Sequence, residues 1–253
     1  MKLPKIIGHR GLKDLYPENT IQSILAAFDL GLDWVEVDVK ISRDNIPFLL
    51  HDDTLERTTT GKGLANSLTY PDIKKLDAGY FFYKKKTDIY PPTLKEVLRL
   101  CKDKNKSINI ELKPNKGLEK LNVREIIKIT NFFKEISIYF SSFDLKSCIE
   151  VMNLNPYSHC GLLVDNFDDY AIEEIICISS CNSYWSNSAI SPCRNNGKAM
   201  KNSGKIRSGT STSATSVRQS LTKSSNSFEA TVQILDTESR NSITSFGRFI
   251  TSG

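Results

Sequence analysis

The stretch Trp34-Val35-Glu36-Val37-Asp38-Val39-Lys40-Ile41 decides the fold class. Apolar residues recur at every second position, which is the period of an extended strand. Val35, Val37, Val39 and Ile41 share one face, and Glu36 and Asp38 lie side by side on the other. Valines packed under helices would turn both carboxylates toward the inside of the sheet, where unpaired negative charge is costly. Residues 107–113 repeat the arrangement, with Ile108, Ile110 and Leu112 on one face and Asn109, Glu111 and Lys113 on the other. Three inward carboxylates from two strands suit one hard divalent cation with oxygen ligands, Mg²⁺ or Ca²⁺. The same residues also read as an internal salt-bridge network with Arg10 and Lys113.

Outward from that strand, helix and strand patterns alternate. Residues 5–8 are a short apolar run and a first strand. Pro17-Glu18-Asn19-Thr20 opens a helix with Ile21, Ile24, Leu25 and Phe28 on one face and Gly31 just past its end. Residues 46–50 form a third apolar run, and residues 52–90 are polar and loop-rich. Thr93 with Glu96 three residues on predicts a capped helix to about residue 102. Strands over 107–112, 136–141 and 160–164 alternate with helices over 119–134 and 145–153. Such alternation implies parallel pairing with helices outside the sheet. The 253-residue length matches the roughly 250 residues of an eight-stranded barrel. No G-x-G-x-x-G follows the first strand, and no phosphate loop is present.

Two of the three histidines follow apolar strand runs: His9 after Ile6-Ile7-Gly8, and His51 after Phe48-Leu49-Leu50. Both are expected where a parallel strand ends, the face on which barrel enzymes place catalysis. A histidine pair there can divide general base and general acid roles near neutral pH. His159 precedes an apolar run and reads as incidental.

Composition excludes other classes. No run reaches the roughly 18 apolar residues of a membrane-spanning helix. Residues 1–10 hold no long apolar core, so no signal peptide is expected. Six cysteines without a C-x-x-C pair are too sparse for a disulfide scaffold and point to a reducing, cytoplasmic setting. Cys177, Cys181 and Cys193 with His159 fit no common zinc spacing. Residues 175–253 hold 9 Lys/Arg and 3 Asp/Glu, a net of +6, which leaves 25 basic and 26 acidic residues in 1–174. The body is therefore almost neutral, and nothing in it suggests nucleic-acid binding. Lys84-Lys85-Lys86 reads as a solvated charge run. No membrane-binding helix or exposed apolar loop is evident.

Taken in order, His9-Arg10-Gly11, Pro17-Glu18-Asn19-Thr20, Glu36-Val37-Asp38-Val39, His51-Asp52, Pro92-Thr93-Leu94 and Ile110-Glu111-Leu112-Lys113 strongly resemble the glycerophosphodiester phosphodiesterase family. Ser141-Ser142-Phe143-Asp144 looks like its fifth-strand motif. The resemblance covers roughly residues 4–165, and residues 52–90 correspond to the insertion after the third strand that is typical of the family. It implies a TIM-type (β/α)8 barrel of the phosphodiesterase kind, in the α/β class. It also implies hydrolysis of small-molecule glycerophosphodiesters to glycerol 3-phosphate and an alcohol, with one divalent cation, Mg²⁺ or Ca²⁺. Carried over residue by residue, Glu36, Asp38 and Glu111 match the metal ligands, and His9 and His51 match the acid–base pair. Arg10 and Lys113 match the phosphate-binding groups. Glu18 and Asn19 match supporting positions, Glu18 to orient a group of the site and Asn19 to cap the helix and line the pocket. A related phosphodiesterase acting on lysophospholipid or sphingomyelin head groups would use the same site. The oligomeric state is not written in the sequence.

Residues 175–253 depart from the family. They contain 19 Ser and 8 Thr in 79 positions, and Ser208–Ser216 has no large apolar side chain. Neither the Thr-Val-Asn-like seventh-strand motif nor the Gly-x-Asp-Gly-like eighth-strand segment of the family occurs there. A shifted reading frame or an unrelated replacement would give such a change. The expectation is a catalytic body over 1–174, with its insertion at 52–90, followed by a basic Ser/Thr-rich tail at 175–253. The last barrel strands are then missing or irregular, the tail poorly ordered, the chain marginally stable, and activity weak or lost as in an inactive remnant.

Overall fold

The structure is a computed structural model that describes residues 4, 6–164, 233–234 and 243–244. Its spine is a parallel sheet with helices on the outside. Strand β1 is Ile7–His9, helix α1 Ile21–Asp29, β2 Trp34–Ile41 and β3 Pro47–Leu49. The insertion holds a short 3₁₀ turn and two four-residue helices, α2 at Tyr70–Ile73 and α3 at Tyr80–Tyr83. Then come α4 Leu94–Asp103, β4 Ser107–Leu112, α5 Glu119–Thr130, β5 Ile138–Ser142, α6 Leu145–Leu154 and β6 His159–Val164. Two-residue strands follow, β7 at Gln233–Ile234 and β8 at Ile243–Thr244.

Strands β1, β2, β4, β5 and β6 are parallel neighbours in that order, the wall of a β/α barrel. Strand β7 adds in parallel beyond β6, whereas β8 adds antiparallel beyond β1. Both sheet edges are thus covered by very short strands, and β8 departs from the all-parallel barrel. The expected disorder of 175–253 otherwise lies outside the described residues, as does the zinc spacing at Cys177, Cys181 and Cys193.

The third apolar run corrects an expectation. It forms no parallel barrel strand: β3 runs antiparallel to β2, with Ile41 opposite Pro47 and Val39 opposite Leu49. Only residues 42–46 separate the two strands, and a parallel crossover needs a dozen or more residues. His51 therefore does not stand at the end of a parallel strand. The hairpin carries it back to the level of Asp38, whose carbonyl accepts the Leu50 N–H at 3.1 Å.

The outer face of β2 carries the core. Val35, Val37 and Val39 pack with Ile108, Ile110 and Leu112 of β4 under apolar faces of α1, α4 and α5, including Ile24, Leu98 and Ile126. Burial of such side chains at about 1.5–3 kcal/mol each holds the helices to the sheet. Helix α4 begins with the expected capping box, Thr93 accepting from Glu96 N–H and Glu96 accepting from Thr93 N–H. Cys101 and Cys148 are buried free thiols. Among the described residues, no helix is long and apolar enough to cross a membrane. The expected lack of an exposed apolar loop does not hold, since Tyr80, Phe81, Phe82 and Tyr83 of α3 all face solvent.

Candidate active site

Strand β1 ends at His9, and the chain reverses through Arg10 and Gly11 with φ of 52° and 79°. A left-handed arginine costs about 1–3 kcal/mol, which the surroundings must offset. Gly11 leaves no choice of residue, because a Cβ there would lie 2.4 Å from Ser23 Oγ on α1. The reversal aims two groups of Arg10 inward. Its backbone N–H donates to Glu36 Oε2 at 3.0 Å, and its Nε lies 3.0 Å from Asp38 Oδ2.

Sheet register assembles the carboxylates. Glu36 is the lateral partner of His9, and Asp38 is the lateral partner of Glu111. Ligand oxygens of Glu36, Asp38 and Glu111 lie within 4.8 Å of one another, and all three residues are buried. Burial, reinforced by the charges of Asp38 and Glu111, pushes Glu36 well above the ordinary carboxyl range. Burial and then Asp38 push Glu111 up to about 7, although the Lys113 ammonium sits 2.5 Å from its Oε1. Glu36 Oε1 and Asp38 Oδ1 are buried without a hydrogen-bond partner. Arg10 and Lys113 thus leave the cluster incompletely compensated. An all-oxygen donor set with unused lone pairs fits a hard divalent cation.

Around that cluster runs a continuous polar network. Asn19, itself at φ 56°, donates its amide to Asp38 Oδ2 at 2.8 Å and accepts the Asp38 N–H at 3.1 Å. Glu18 accepts from Arg10 Nη1 at 3.0 Å. Burial alone would raise Glu18, but hydrogen bonds from Arg57 and the charge of Arg10 pull it down to about 2. Arg57 forks between Glu18 and Asp52, donating to both oxygens of each. Asp52 Oδ1 in turn lies 2.7 Å from His51 Nδ1. A cleft beside His51 is lined by Glu18, Asn19, Thr58, Thr59 and Ala78 among others. Burial first, then the charges of Arg10 and Lys13, lower His9 to about 4, so its ring is neutral at pH 7. Its Nε2 stands 3.8 Å from Glu36 Oε2, beyond hydrogen-bond reach. Burial also lowers His51, against the pull of Asp38 and Asp52.

Of the nine residues singled out in the sequence, eight enter this network and His9 stands beside it, 3.8 Å from Glu36; Asn19 enters it without capping α1, whose N-cap is Thr20. His159 does not enter the network: it opens β6, at the other end of the strands, with its ring stacked on Tyr139 at 6.5 Å and 8°. Sequence reasoning passed over Arg57, Lys40 and Asp53. Lys40 is 2% exposed and donates to Asp53 Oδ1 at 2.7 Å and to the Lys113 carbonyl at 3.0 Å. The alternation of β2 places Lys40 on the carboxylate face, a signal that was present. Arg57 has no such signal, since its Glu18 partner is 39 residues away.

Comparison with known proteins bears on the same segment. A glycerophosphodiester phosphodiesterase of Caldanaerobacter subterraneus is 39% identical over 162 residues, covering 62% of this chain and 65% of that protein. One from Bacillus altitudinis is 36% identical over 164 residues, covering 64% and 66%. The chain thus spans just under two thirds of the length of these relatives. An Oleispira antarctica phosphodiesterase, solved in complex with its product sn-glycerol-3-phosphate, superposes with a TM-score of 0.67 at 32% identity, covering 70% of this chain and 72% of that one. The model of the glycerophosphoryl diester phosphodiesterase family matches residues 9–193. That span takes in the whole network from His9 to Lys113 and nearly three quarters of the sequence, and on that ground the chain belongs to the glycerophosphoryl diester phosphodiesterase family.

Proposed function

We propose that this chain hydrolyses glycerophosphodiesters to glycerol 3-phosphate and an alcohol. The observation that carries the reading is the buried triad Glu36, Asp38 and Glu111, whose ligand oxygens converge within 4.8 Å. The product bound in the Oleispira antarctica relative supports the same product here. Glu36, Asp38 and Glu111 hold one divalent cation, Mg²⁺ or Ca²⁺. Once bound, it neutralises charge that develops on the phosphoryl oxygens. Arg10 and Lys113 would bind those oxygens through their charged side chains. Glu18 orients the Arg10 guanidinium, and Asn19 fixes Asp38 through their two mutual hydrogen bonds.

His9 and His51 move the protons. His9, neutral at pH 7 and not hydrogen-bonded to Glu36, accepts the proton of the attacking glycerol hydroxyl, and water then opens the cyclic phosphate so formed to glycerol 3-phosphate. His51, backed by Asp52 at 2.7 Å, gives a proton to the leaving alkoxide as the new O–P bond forms and the old P–O bond breaks. Residues 1–174, with the insertion at 52–90, carry this chemistry. We assign the work to small molecules in the cytoplasm, with no nucleic-acid partner.

The test incubates the purified chain with glycerophosphocholine and Mg²⁺ or Ca²⁺ and measures glycerol 3-phosphate. Release abolished by a chelator is expected, at a low rate given the unusual tail. No release with either metal rejects the reading. Glu36→Gln should weaken metal binding and rate together; a variant with full, chelator-sensitive activity removes Glu36 from the ligand set.

A further inference from the structure

We propose that the aromatic turn at residues 80–83, with the lysines that follow it, docks the protein onto an anionic lipid surface. Tyr80, Phe81, Phe82 and Tyr83 are consecutive and each is between 37% and 44% exposed. Their rings pair edge-on, Tyr80 with Phe81 at 5.3 Å and Phe82 with Tyr83 at 5.0 Å. No other segment of the described residues gathers four exposed large apolar side chains in succession. A contiguous apolar patch on an exposed turn marks an interaction site rather than ordinary surface.

The turn is presented by a fixed base. Asp77 Oδ1 accepts from Gly79 N–H at 2.8 Å and from the Thr87 hydroxyl, and Asp77 Oδ2 accepts from Thr87 N–H. Ala78 N–H donates to the Ile89 carbonyl at 2.7 Å. The two ends of the loop are thereby stapled together, and the aromatic residues project from a closed neck. Lys84 follows in a left-handed cap at φ 57°, and Lys84, Lys85 and Lys86 are all exposed.

Charge selects the occupant. The three lysines would repel a second copy of the same patch in a two-fold contact. They would equally repel residues 175–253, whose net charge is +6. An anionic surface satisfies both halves of the patch, with rings at the headgroup level and ammonium groups against lipid phosphates. Tyrosines at both ends of the phenylalanine pair supply the rings with a polar tip that suit that depth. The position has a further consequence. Ala78 lines the cleft beside His51, and two residues span at most about 7 Å. Docking through Tyr80 therefore brings the lipid surface within about 7 Å, measured along the chain, of the residue that lines this cleft.

Sedimentation of the full-length chain with phosphatidylserine–phosphatidylcholine vesicles, against phosphatidylcholine alone, is the test. It has no catalytic readout, so it stands or falls apart from the proposed hydrolysis. Binding to the mixed vesicles that weakens with salt is expected. Replacing Lys84, Lys85 and Lys86 together by Gln should lower the binding constant about a hundredfold, at about fivefold per lysine. Phe81→Ser with Phe82→Ser should lower it at least about tenfold. Phe82→Trp supplies a direct reporter at an exposed position, and its indole emission should move to the blue on mixed vesicles only. Equal binding by wild type and both patch variants would assign the affinity to the basic tail and overturn the proposal. So would an unshifted emission from the Phe82→Trp variant, absence of binding, or capture by an acidic protein without capture by vesicles.

Discussion

The wall formed by β2 and β4 and the insertion at 52–90 both supply groups to the candidate site, but they hold them by different means. In the wall, Glu36, Asp38 and Glu111 are placed by strand register, and every residue of β2 is buried. In the insertion, side-chain hydrogen bonds do the placing: Arg57 on Asp52 and Glu18, Asp77 on Thr87, and Glu96 at the insertion's far edge accepting from the Tyr70 and Tyr90 hydroxyls. A ladder with a packed face tolerates little, whereas a polar clamp is removed one side chain at a time.

The largest expected effects test whether the two regions really act on one reaction. His9→Ala at the end of β1, beside the wall, and His51→Ala, next to the insertion's Asp52, should each lower kcat about 10²–10⁴-fold, the range of a positioned proton-transfer group. His159→Ala should leave the rate nearly unchanged, and comparable losses at His159 and His9 would break the assignment. Next in size is the core of the wall. Ile110→Ala, fully buried between β2 and β5, should cost about 2–5 kcal/mol of stability in denaturant unfolding. A value below about 1 kcal/mol would mean the wall is no stiffer than the insertion.

The clamp comes third. Arg57→Ala should lower kcat about 10–100-fold while leaving the affinity for the divalent cation close to wild type, since Arg57 touches no member of the carboxylate triad. It should also change the response to acid. Glu18 has a folded pKa of about 2, below its ordinary 4.5. Its contribution to stability is therefore complete above pH 4.5 and lost as the pH falls toward 2. Without Arg57 the folded value rises toward 4.5, so the contribution should be smaller and its loss complete at higher pH, which a Tm series across that range would reveal. The smallest effect sharpens the comparison at the border of the two regions. Thr93→Ala removes the cap of α4 and should cost about 0.5–2 kcal/mol of stability. The rate should be unaffected.

Legibility followed the same division. Strands β2 and β4 have the ends that alternation assigned them, because Ile41 and Leu112 are each the last of a strictly spaced apolar set. The capping box of α4 was readable from Thr93 and Glu96 alone. Helix α5 stops at Thr130, four residues short of the expected 134, because the apolar spacing runs on through Phe133 and Ile136 although the chain has already turned at Asn131. The direction of β3 was missed, since an apolar run carries no orientation; the five residues between β2 and β3 held the missing information. The nine residues proposed for the site were chosen from strand faces, strand ends and ordered motifs. Arg57 escaped because its two partners, 5 and 39 residues away, meet only once the hairpin has folded.

The antiparallel return of β3 has a consequence for how this architecture can vary. His51 is delivered by pairing with β2 before the insertion proper begins, so its level along the sheet is set by that register, and the insertion's Leu55, Ala65 and Ile73 pack on Phe48 and Leu50 to keep it there. Exposed positions of the insertion can vary without re-indexing the site, provided Thr58, Thr59 and Ala78 keep the cleft, Ala65 and Ile73 keep their packing, and the chain rejoins at the cap of α4. New surface specificity can therefore be tried on the insertion's outer positions while the sheet keeps the three carboxylates in register.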